Sequence, residues 1–134
     1  MAKAIKTRPV TMVQVREYLA KAEEFLLAAT AELEAERSIA ATSLAVHAGI
    51  NAADAVCGAR LKKRAAGQDH RETIVLLGQA GDDGSQLAKD LQRLLPMKTT
   101  AEYEPDDIPV SKASTAVQRA KRCVDVARRA VGSL

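Results

Sequence analysis

Arg37-Ser38-Ile39-Ala40-Ala41-Thr42-Ser43-Leu44-Ala45-Val46-His47-Ala48-Gly49-Ile50-Asn51-Ala52-Ala53-Asp54-Ala55-Val56-Cys57-Gly58-Ala59-Arg60-Leu61 is the stretch on which the fold turns. Ile39, Val46, Ile50, Ala53, Cys57 and Leu61 recur on one helical face, and no period of two competes with it. Ala40, Ala41, Ala45, Ala48, Ala52 and Ala55 add strong helix propensity. Aromatic residues make up only 2% of a chain that is 47% hydrophobic, so the core must be built from Ala, Val, Leu and Ile. Such small side chains let helices approach closely, whereas strands usually recruit β-branched and aromatic residues together.

Working outward, Thr11 with Gln14 forms a capping box ahead of Val15, Leu19, Ala22, Leu26, Ala29 and Leu33, which space as a helix to about Glu36. Residues 1–10 read as a flexible arm. On the other side, Arg60, Lys62, Lys63 and Arg64 crowd the helix C-terminus, where the dipole favours cations, and Gly67 opens a loop. Asp69 with Glu72 caps a short helix through Ile74, Leu76 and Leu77 to about Gln79. Gly81-Asp82-Asp83-Gly84 reads as a turn by composition. A fourth helix carries Leu87, Leu91, Leu94 and Leu95, and Pro96 is expected to kink or end it. The acidic stretch from Glu102 to Pro109 reads as a loop. Ser111 is the expected cap of a last helix whose stripe is Ala113, Ala116, Val117, Ala120, Cys123, Val124, Ala127 and Val131.

The expectation is therefore all-α: one domain over residues 11–134, an antiparallel up-and-down bundle of about five helices, with no strand signal. No apolar run reaches the ~20 residues of a membrane span. The N-terminus lacks the apolar core of a secretory signal. Cys57 and Cys123 fall at apolar helical positions and read as buried hydrophobes rather than a disulfide, which fits a reducing cytoplasm.

Ser43, His47, Asn51 and Asp54 form a polar stripe bordering the apolar face of the second helix. Polar groups beside a core must be hydrogen-bonded. The stripe thus reads either as a network joining helices or as the lining of a polar cleft. His70, at the start of the third helix, reads as an exposed loop histidine or as part of a phosphate-handling cluster with Lys63 and Arg64. The last helix has six basic residues, including Lys112, Arg119, Arg122 and Arg128, against the single acid Asp125. Residues 101–110 hold four acids, Glu102, Glu104, Asp106 and Asp107, and no basic residue. The basic set could grip phosphates, or dock on the chain's own acidic loop or a second subunit. Two histidines and two scattered cysteines give no zinc-ligand spacing, and no glycine-rich phosphate loop is present. No metal and no cofactor are expected.

The segment Ala40 to Ala55 resembles the second helix of small prokaryotic HEPN proteins. Gly67-Gln68-Asp69-His70 before a short helix is similar to theirs, as is Lys98-Thr99-Thr100-Ala101-Glu102-Tyr103 to the family's Arg-x-x-Ala-Asp-Tyr pattern. The likeness covers about residues 12 to 131, taken by the helical periods. It implies a bundle of four or five helices, often dimeric, associated with RNA as a metal-independent ribonuclease or a non-catalytic module. Active members pair an Arg with a His four to six residues later. Here Lys98 stands at the Arg position and no histidine follows it.

The resemblance thus implies first a non-catalytic, cytoplasmic, homodimeric module of a bacterial defence or toxin–antitoxin-like system that binds RNA or a protein partner. A second reading is a ribonuclease whose atypical site draws on His47, Asp54, His70, Lys98 and Tyr103. A third is a purely structural dimerisation or interaction module.

Overall fold

The computed structural model describes residues 4–134. In order, these form β1 (Thr7–Pro9), α1 (Met12–Glu34), α2 (Ser38–Leu61), β2 (Lys63–Ala65), α3 (His70–Leu77), α4 (Gly81–Glu102) and α5 (Val110–Gly132). The all-α bundle expected from the sequence is the observed architecture. Its four long helices alternate in direction. Arg60 near the end of α2 meets Asp83 near the start of α4, and Ser43 near the start of α2 meets Glu102 at the end of α4. α2 and α5 end together, where Arg60 donates to the Ser133 hydroxyl.

α2 is the axis of the molecule. It packs against α1, α4 and α5, and its alanines except Ala40, with Val46, Val56 and Cys57, are buried. By length and composition it is apolar enough to cross a membrane, but 61% of that apolar window is covered by the rest of the bundle. Small residues make the packing possible. A methyl group at Gly58 would lie 2.7 Å from Val15 Cγ2 and 2.9 Å from Val10 Cγ1, so α1 and the segment before it rest directly on the α2 backbone. Leu87, Leu91 and Leu94 of α4 are wholly buried and supply the bulk that the alanines lack.

Several sequence-level expectations change. Within the stretch read as an arm, Thr7–Pro9 pairs antiparallel with Lys63–Ala65, with Arg8 opposite Arg64. Val10 is buried and its N–H donates to the Lys62 carbonyl. Residues 1–3 of the expected arm lie outside the described residues. The two strands have three residues each, too short for any alternation to register in sequence. Lys62 at φ 60° turns the chain out of α2 into β2.

Gly81-Asp82-Asp83-Gly84 is no turn but the first turn of α4, where Asp82 and Asp83 complement the helix dipole. Gly84 is required there by a close approach: a Cβ would sit 2.1 Å from the Leu77 carbonyl oxygen. Pro96 does not end α4, which continues to Glu102. Its ring leaves the Gln92 carbonyl without a helical donor, and both residues are exposed, so water can satisfy that oxygen. α5 begins one residue before Ser111, with Pro109 at the cap position and no side-chain cap bond. The Thr11–Gln14 capping box forms as read, with both reciprocal bonds present.

Candidate functional site

The polar stripe on α2 meets the last turn of α4. Glu102 Oε1 accepts from Ser43 Oγ at 3.1 Å and lies 2.9 Å from His47 Nε2. Its other oxygen, Oε2, is 3.0 Å from Lys98 Nζ, one helical turn back. A carboxylate only accepts, so Nε2 carries the imidazole proton and Nδ1 is the basic nitrogen when the ring is neutral. Phe25 of α1 lies against the imidazole, with ring centroids 5.5 Å apart. Asn51 Nδ2 donates to the His47 carbonyl at 2.8 Å. Lys98 Nζ also sits 5.4 Å from the centre of the exposed Tyr103 ring, within cation–π range.

Partial burial pulls the Glu102 carboxyl up. The bonds from Lys98, His47 and Ser43 together outweigh it and hold the group below its ordinary value. The same contact with Glu102 raises the Lys98 ammonium, so the two form a stable ion pair at neutral pH. His70, the first residue of α3, is half-buried. Burial, then the charges of Lys98 and His47, hold its imidazole below the usual histidine range, although Asp69 and Glu102 pull the other way. That favours the neutral form of His70. Together with Arg71, Lys98 and Thr99 it lines an open groove of about 710 Å3 between α3 and α4.

Of the sequence candidates, the structure brings together Ser43, His47, Lys98 and Tyr103, with His70 close enough to sense their charges. Asp54 stands apart, two turns along α2. It is largely buried, and desolvation pushes its carboxyl up to about 6 against the opposing charge of Arg64. Arg64 packs over the Tyr18 ring, 5.8 Å from its centre, and bonds the Ala65 carbonyl. Glu102, which joins the cluster, is the residue that sequence reasoning left among the loop acids. Its spacing of four from Lys98 on a helix was the available signal. The reading of Glu102 to Pro109 as a loop hid it.

The basic residues read as two anion-binding sets lie on two elements, β2 and α5. Lys63 and Arg64 lie on β2, at the far end of the stripe. Arg122 is bonded to Asp90 through both Nε and Nη2, with Arg119 3.6 Å from the same carboxylate. Arg128 pairs with Glu23 of α1 and with Asp125. The last helix therefore docks on acids of α1 and α4, not on the acidic stretch after Glu102. Lys112 and Arg119 do share a groove, between α4 and α5. Cys57 and Cys123 are buried and free, and desolvation pushes both thiols up to about 12. Among the described residues, no three His, Cys, Asp or Glu side chains converge as a metal-binding group. No protein-family model and no curated protein matches the chain.

Proposed function

We propose that the chain is a HEPN-like, RNA-binding helical module that does not cut its ligand. The observation that carries this reading is the saturation of the cluster: one carboxylate, Glu102, holds both Lys98 and His47. A cleaving site needs a cation free to meet the phosphate and an acid–base group free to exchange its proton. Lys98 is instead neutralised by its neighbour, and the network's evident work is to join α2 to the end of α4. RNA then binds in the grooves beside this clamp. The resemblance in the order of the helical segments supports the same class, as does the net charge of +3.

A second reading, a metal-independent ribonuclease, is favoured by one specific feature. Glu102 orients His47 with Nδ1 bare, in the field of His70 and of Lys98. In such a site one imidazole takes the ribose 2′-hydroxyl proton while the 2′-oxygen bonds to phosphorus. The bond from phosphorus to the 5′-oxygen breaks, and the imidazolium formed by that proton transfer gives its proton to the leaving oxygen.

The deciding experiment is incubation of wild type, His47→Ala and His70→Ala with a labelled mixed RNA pool, without metal, at low and moderate salt. Native gels read retention and denaturing gels read cleavage. Salt-sensitive retention of intact RNA is the expected result. Cleavage abolished in His70→Ala with an unchanged helical spectrum would establish the ribonuclease. Neither retention nor cleavage would overturn both readings in favour of a protein-interaction module.

A further inference from the structure

The groove between α4 and α5 encloses about 540 Å3, and its lining contains three cations, Arg93, Lys112 and Arg119, and no acid. That composition sets it apart. The α3/α4 groove includes Asp69, which binds Arg71 through both its oxygens. The groove at the start of α2 combines Arg37 with Glu36 and Asp107, and the one at the start of α4 combines Arg60 with Asp82 and Asp83. Arg119 is held near Asp90, but Arg93 and Lys112 are exposed and make no ion pair among the described residues. Other cations are also without a carboxylate, Arg16 and Lys21 of α1 among them, but Arg93 and Lys112 stand together on one groove that holds no acid.

The lining also contains Leu94, Pro96, Met97 and Ala116, of which Pro96 and Met97 reach the surface, and the hydroxyl-bearing Ser111 and Thr115. Gln92 and Pro96 line both this groove and the α3/α4 groove, so the two meet over α4. A helix with its side chains is about 10–12 Å across, which a short single strand spans easily.

We infer that the α4/α5 groove is the phosphate-binding track of the module, in which Arg93 and Lys112 hold phosphates of a single-stranded RNA whose bases lie against Pro96 and Met97. The inference rests on the RNA reading above and deepens it, by placing the main electrostatic attraction away from the His47 cluster. Single strands suit the geometry because their bases can be splayed onto a surface, whereas a duplex hides them. With no aromatic platform in the groove, binding is expected to tolerate sequence and to depend on charge.

The test is fluorescence anisotropy with a labelled single-stranded RNA oligomer, without metal, over a salt series. Three full-length proteins are compared: wild type, Arg93→Glu with Lys112→Glu, and Arg16→Glu with Lys21→Glu. The last pair lies exposed on α1 and makes the same change in net charge. The groove variant is expected to bind at least about tenfold more weakly than the α1 variant, with a salt slope shallower by about 0.7 for each phosphate it no longer neutralises. Equal weakening in both variants, or none in either, would overturn the groove while leaving RNA binding in place. Wild type that binds no RNA even at low salt would overturn the RNA reading itself. Circular dichroism on all three confirms that the helices are intact. Arg93→Gln with Lys112→Gln, a milder change, should fall between wild type and the charge reversal.

Discussion

Asp54 is a mostly buried carboxyl with only the charge of Arg64 to offset its desolvation. Its value rises from 3.8 to about 6, so the folded state takes a proton more readily than the unfolded chain. Stability tied to this group therefore rises as pH falls through about 6, and levels off once the unfolded carboxyl is also protonated, below 3.8. Asp54→Asn removes the charge, and is expected to stabilise the protein at pH 7.5 by on the order of 2 kcal/mol. The gain should shrink toward zero near pH 4 in paired thermal melts. A gain that did not change with pH would show that the carboxyl carries no buried charge. Thr42 is a second internal cost: its hydroxyl is fully buried and without a partner. Thr42→Val keeps the shape and should add about 1 kcal/mol in denaturant titration. A less stable variant would mean that the hydroxyl is bonded after all. Glu102 shows the opposite case, an acid whose three donors outweigh its burial. The stripe of Ser43, His47 and Asn51 was legible as a network or a cleft lining, because periodicity places residues on a face. Its partner was not, because no rule of spacing connects residues 55 positions apart.

The long elements were legible because their apolar periods are long and their caps local. The Thr11–Gln14 box stands where the sequence set it, and Asp69 caps α3 by accepting from the Arg71 N–H, without the reciprocal bond from Glu72. The failures are all contests between a local rule and tertiary packing. Gly81 to Gly84 has turn composition, yet Leu87, Leu91 and Leu94 are drawn onto α2, and the helix must begin early enough to present them. Gly84 is there because α4 starts against the last turn of α3. Gly84→Ala should therefore cost about 3 kcal/mol by thermal or denaturant unfolding, where an ordinary helical glycine would be improved by the same change. Pro96 costs α4 one hydrogen bond without ending it. Pro96→Ala is expected to raise stability by about 2 kcal/mol and to leave the Lys98–Glu102 pair in place. If the variant were less stable, the proline would have to be fixing the course of the last turn. The pairing of β1 with β2 could not have been read at all, since three residues carry no period and their partner lies across an intervening helix hairpin.

At the scale of the molecule, the sorted charge of the sequence resolves into two populations. Arg119, Arg122 and Arg128 serve the fold, docking α5 on Asp90 and Glu23, and their contribution should fade with salt as surface pairs do. Arg93 and Lys112 hold no carboxylate and line one acid-free groove, and the ligand we propose is the one that pair fits. The sequence showed that the last helix was basic, but only packing separates spent cations from free ones. The measurement that tests the central claim most directly is the equilibrium affinity of the purified protein for a single-stranded RNA oligomer, without metal, as a function of salt, with the RNA recovered and sized afterwards. The account predicts intact RNA and a linear fall of the logarithm of affinity with the logarithm of salt, with a slope of about 0.7 per phosphate neutralised. Affinity that is absent at low salt, or RNA recovered as fragments, would contradict it.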